Sequence, residues 1–103
     1  MKQFTETLKE MLQDPQTAAG YINAVLEDGN PKLLLVALRD VAEAQGGLRK
    51  LARSTRLHRG NLHKMLSKKG NPEVATLIRL LDTFGLRLSV TAKTSKSNLK
   101  KAA

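Results

Sequence analysis

Each of the three prolines in this chain follows an Asp or an Asn: Asp14-Pro15, Asn30-Pro31 and Asn71-Pro72. The pairing constrains the fold. An Asx side chain accepts from the free N–H groups at a helix start, and proline fits the first helical position, where no donor is needed. Helical periodicity follows all three steps. After the first come Ala18, Tyr21, Ile22, Val25 and Leu26, with Gly29 as a stop. After the second come Leu34, Ala37, Leu38 and Val41, ended by Gly46-Gly47. After the third come Leu77, Ile78, Leu81 and Phe84, then Gly85. A weaker amphipathic turn, Phe4-Leu8-Met11-Leu12, precedes them, and residues 48–55 and 59–67 read as two-turn helices. The pattern predicts an all-α domain of five or six helices.

Past Gly85 the period changes to two. Leu86, Leu88, Val90 and Ala92 alternate with Arg87, Ser89 and Thr91, which predicts a short strand over 86–92. A lone strand leaves its backbone unpaired. The expected remedy is an antiparallel partner from a second copy or another protein, so Leu86, Leu88 and Val90 are expected to form a dimer strand. Residues 93–103 are polar, small and basic and read as a flexible tail. With 103 residues in all, this leaves one domain over 1–92.

The formal charge is +9, and its distribution is uneven. Residues 1–46 hold four bases and seven acids, net −3; residues 71–103 hold six bases and two acids, net +4. Between them, residues 47–70 hold eight bases and no acid. Such a concentration points to a polyanionic partner.

The same stretch has helix-turn-helix spacing over 48–66. Ala52 supplies the small residue where two short helices cross. Leu48, Leu51, Leu57, Leu62 and Met65 or Leu66 supply the apolar contacts, and Thr55-Arg56-Leu57 makes the turn. The first turn position commonly holds glycine, because its backbone tends toward the left-handed region. Arg56 at that position costs roughly 1 kcal/mol and adds a phosphate-binding charge. The second helix presents Arg59, Asn61, His63 and Lys64 away from its apolar face, as a base-reading helix in a major groove would. Lys50, Arg53, Arg56, Lys68 and Lys69 flank the motif as phosphate contacts, and His58 either caps the second helix or touches phosphate. Gly60 has no side chain to read with but permits close backbone approach.

From Phe4 to about Ala92 the chain resembles the addiction-module antidote proteins, HigA-like antitoxins with an Xre-type helix-turn-helix. The resemblance is carried by Tyr21-Ile22-Asn23-Ala24-Val25-Leu26-Glu27-Asp28-Gly29-Asn30-Pro31, Ala37-Leu38-Arg39-Asp40-Val41-Ala42, Leu62-His63-Lys64-Met65-Leu66-Ser67, Gly70-Asn71-Pro72 and Gly85-Leu86-Arg87-Leu88-Ser89-Val90. It implies a lambda-repressor/Xre-like fold and a homodimeric repressor of its own operon that binds double-stranded DNA at a pseudo-palindromic operator. It also implies a cognate RelE/ParE-like toxin that the chain neutralises. The chain departs from the family pattern at Arg56, where glycine is usual, and at His58 and Gly60, where polar capping residues are more frequent.

Other chemistries find little support. There is no cysteine, which excludes disulfide scaffolds, thiol nucleophiles and cysteine zinc sites. His58 and His63 lie five apart with no facing carboxylate, so no metal or other cofactor is expected. The acids form no catalytic constellation, and no enzyme activity is expected. The basic segment has no aromatic residue for stacking on single-stranded RNA. The longest apolar run, residues 33–38, is far short of a membrane span, and acids stand where a signal peptide would be apolar, so a cytoplasmic protein is expected. Two alternatives stay open: a stand-alone phage-type regulator without a toxin, and a toxin-binding module with little DNA binding.

Overall fold

The computed structural model describes residues 4–67 and 69–93; Lys68 and residues 94–103, the greater part of the expected tail, lie outside the described residues. The fold is all-helical. In order come α1 (Phe4–Met11), α2 (Pro15–Asp28), α3 (Pro31–Ala44), α4 (Gly47–Thr55), α5 (Arg59–Met65) and α6 (Val74–Thr83).

Two of the three Asx-Pro steps start helices as expected. Asp14 Oδ2 accepts from the Thr17 N–H at 2.9 Å, with Pro15 in the first turn of α2. Asn30 Oδ1 accepts from the Lys32 N–H at 2.9 Å, with Pro31 opening α3. Between these helices Gly29 takes a left-handed conformation (φ 76°) and donates to the Leu26 and Val25 carbonyls, closing α2. The third step behaves differently. The helix begins at Val74, its cap position is Glu73, and no side chain caps it. Asn71 and Pro72 stay in the linker, and the expected Asn71 cap is not made.

The core is built around α3, which packs against α1, α2 and α4. Ala37, Leu38 and Val41 are wholly buried on its inner face. They meet Leu12 from the end of α1, Ala18 and Ile22 from α2, Leu51 from α4, Leu62 and Leu66 from the α5 region, and Leu80, Leu81 and Phe84 from α6 and its end. α4 in turn packs against α3, α5 and α6, and so couples the basic segment to the rest of the core.

Residues 86–92 form no strand, which corrects the sequence expectation. The Leu86 N–H donates to the Leu81 carbonyl at 2.7 Å, and its half-buried side chain packs on the core. Leu88 and Val90 are exposed, and the segment belongs to no sheet. The physical reason is that a strand needs a neighbour for its N–H and C=O groups. No second strand exists among the described residues, so the alternation alone creates no ladder.

One polar link ties α2 to α3. The Tyr21 hydroxyl donates to Asp40 Oδ2 at 2.5 Å. Burial, the Asp40 hydrogen bond and the Asp40 charge together push the phenol up to about 12. The folded state therefore holds this proton more tightly than the unfolded chain does, which stabilises the fold fully below pH 10. That contribution is lost as pH rises through about 12. Tyr21→Phe should cost about 1 kcal/mol at neutral pH. In denaturant titrations the gap between native and variant should close as pH rises from about 10 towards 12.

Candidate nucleic-acid interface

The acid-free segment folds as the helix pair α4 and α5, joined by Arg56, Leu57 and His58. Beneath the pair lie buried Leu51, Leu62 and Leu66, with Leu48, Ala52, Leu57 and Met65 half-buried against them. Above it the seven described bases of 47–70 (Arg49, Lys50, Arg53, Arg56, Arg59, Lys64 and Lys69) are all exposed. Apolar periodicity turns the cations outward together.

Arg56 is the one described residue other than glycine with positive φ (φ 60°, ψ 21°), and it ends α4. The turn takes the left-handed geometry expected there, and an arginine bears its steric cost. Thr55, just before it, secures the turn from inside. It is buried, its hydroxyl donates to the Leu51 carbonyl at 2.7 Å, and its Oγ1 accepts from the Leu57 N–H at 3.2 Å. Spacing alone marked Thr55 only as a turn residue. The signal that could have revealed its role is a threonine four residues after a helical carbonyl and two before an otherwise unpaired N–H.

His58 is the N-cap of α5. Its Nδ1 accepts from the Gly60 N–H at 3.1 Å, which leaves Nε2 as the ring's donor. Gly60 makes room for that cap. A Cβ there would come within 3.1 Å of both Nδ1 and Cε1 of His58. The two residues act as a unit: one caps, and the other leaves space for the ring.

Arg59, Asn61, His63 and Lys64 are all exposed on α5. Asn61, His63 and Lys64 lie on the outward face away from Leu62 and Leu66, while Arg59, three residues before Leu62, stands in the first turn on the side of Leu62. Helical spacing puts Gly60 and Lys64 near the middle of that outward face, with His63 on one side and Asn61 on the other. Asn61 also lines two shallow grooves. One, of about 270 Å³, runs between α5 and the following linker past Lys64, Lys69 and Asn71. The other, of about 290 Å³, is walled by Leu57, Met65, Pro72 and Thr76. Lys50 and Arg53 are exposed on α4 and Lys69 follows α5; Lys68 is outside the described residues. Leu86, Leu88 and Val90 do not join this surface into a sheet.

No group of three metal-capable side chains occurs among the described residues, and no described helix is long and apolar enough to cross a membrane. No solved structure matches the chain. A family model described as probable addiction module antidote protein matches residues 1–92. The chain belongs to the probable addiction module antidote family. It is also 34% identical over 91 residues to an uncharacterized protein of Haemophilus influenzae strain Rd, covering 84% of this chain and 93% of that one. Membership gives the antidote a regulatory role and a toxin as partner.

The Arg56 turn yields a stability test. Arg56→Gly should relieve left-handed strain and raise stability by roughly 0.5–1 kcal/mol in urea denaturation. Arg56→Ala removes the same charge but keeps the strain, and should bring no such gain.

Proposed function

We propose that this antidote is a HigA-like, Xre-type antitoxin of a type II toxin–antitoxin module. In this reading it binds its own operator as a homodimer, represses its operon and neutralises a RelE/ParE-like toxin. One observation carries the DNA-binding half of the proposal. The stretch that excludes every acid is also the stretch that folds as two short helices around a tight turn, with all its described bases exposed.

In this reading Arg59 makes a bidentate contact to guanine, Asn61 one to adenine, and His63 and Lys64 contact base edges as well. Gly60 lets the α5 backbone approach the base edges. Lys50, Arg53, Arg56, Lys68 and Lys69 bind phosphates and set the register, and His58 adds a further phosphate contact. As a homodimer the chain presents this surface twice, related by a two-fold axis. Two-fold docking then requires half-sites roughly 34 Å apart, one turn of the duplex.

The stand-alone regulator and the toxin-binding module with a merely structural helix-turn-helix are separated from this reading by experiment. If each subunit neutralises about four phosphates, log K for operator binding should fall against log salt with a slope near −7. A slope near zero would remove the DNA reading and leave the toxin-binding module. Arg59→Ala should cost about 1–3 kcal/mol of binding and relax preference at one base pair. Equal weakening on every sequence would instead make Arg59 a phosphate contact. A reading frame beside this one that encodes no toxin would favour the stand-alone regulator.

A further inference from the structure

The core leaves apolar side chains uncovered at one end of the acidic half. Leu26, Leu33 and Val36 are 49%, 43% and 37% exposed. Leu33 and Val36 stand three apart on α3 and so share a face. Leu26 is in the last turn of α2, joined to the start of α3 only by Gly29 and Asn30, and the two helices pack together. Next to these residues in sequence, Val25 and Leu34 are half-buried against the core. The exposed leucines and valine therefore sit on a rigid floor, the setting in which a docked partner loses little conformational freedom on binding.

The charge around this patch says what covers it. Glu27 and Asp28 follow Leu26 directly and are exposed. Residues 15–44 carry four acids (Glu27, Asp28, Asp40, Glu43) and two bases (Lys32, Arg39), net −2, against eight bases and no acid in 47–70. A second copy docked through the same patch would bring the Glu27 and Asp28 of both copies into one interface, because a two-fold interface uses one surface twice. A basic protein is drawn to the two acids, with Lys32, exposed directly before Leu33, as the base of this tip.

We propose that the tip formed by the end of α2 and the start of α3 is the docking surface for the toxin. The toxin would present apolar side chains to Leu26, Leu33 and Val36, and cations to Glu27 and Asp28. The proposal rests on the antitoxin reading. None of the motif's bases belongs to this patch, so a bound toxin does not use the groups that a duplex would.

Two variants of the full chain test it: Leu33→Ser with Val36→Ser, and Glu27→Lys with Asp28→Lys. The probe is the purified protein encoded by the adjacent reading frame, with binding read by calorimetry. Each variant should bind that protein at least about tenfold more weakly. The serine variant should keep its circular dichroism spectrum and its operator affinity, since the replaced residues are exposed. Native affinity in both variants would overturn the proposal. So would unchanged affinity accompanied by a shift from dimer to monomer in light scattering, which would assign the patch to a second copy. A native chain that neither binds nor neutralises the probe protein would refute the antitoxin reading itself, and the docking surface with it.

Discussion

Eight cations within 24 residues repel one another, and no acid in that segment relieves them. Two such charges about 10 Å apart in water cost roughly 0.4 kcal/mol before salt screening. The opposing force is apolar. Leu51, Leu62 and Leu66 are buried under α4 and α5, and burying a leucine side chain is worth roughly 1.5–3 kcal/mol. Because α4 packs against α3, α5 and α6, the same contacts that seat the motif also close the core. The exposed cationic face is thus a consequence of the fold's interior, and it persists only while that interior is intact.

That interior was largely legible in the sequence. Leu38, Val41, Leu51, Leu62, Leu81 and Phe84 were recognisable from helical spacing, and all are buried. The starts of α2 and α3 were legible for a local reason: a capping side chain needs nothing beyond the next three residues. The start of α6 was not, since Asn71 and Pro72 wall the grooves beside α5 while the helix begins later, at Val74. Position in the tertiary fold overrode a local preference. The strand failed for a related reason: alternation shows which faces differ, but pairing depends on a neighbour that the described chain does not contain.

At the candidate interface, spacing turned Asn61, His63 and Lys64 away from Leu62, because a helix period is a property of the sequence itself. Arg59 is exposed too, but three residues before Leu62 it stands on the side of Leu62. The parts that hold the turn were less visible. Thr55 acts through one carbonyl and one N–H, and such short-range bonds leave no mark on hydrophobic periodicity. His58 was ambiguous between cap and phosphate contact, and of the two the structure shows the cap. Gly60 acquires a reason that composition does not give: the residue two places earlier folds back over it.

These details bear on recognition because α5 has only seven residues. A helix that short is not stable by its own hydrogen bonds. Its axis is set by the His58 cap at one end and by Leu62 and Leu66 underneath, and the turn before it is set by Thr55 and by Arg56 in the left-handed region. The side chains proposed to read bases are therefore aimed by residues that touch no base. An angular change of the helix would displace Arg59, Asn61, His63 and Lys64 together. A bidentate contact tolerates little displacement, so loss of the cap would act first on discrimination between sequences, while exposed lysines and arginines would still attract phosphate. If the chain binds DNA as proposed, specificity and affinity have separate structural supports, the first in the core and caps, the second in the charge alone.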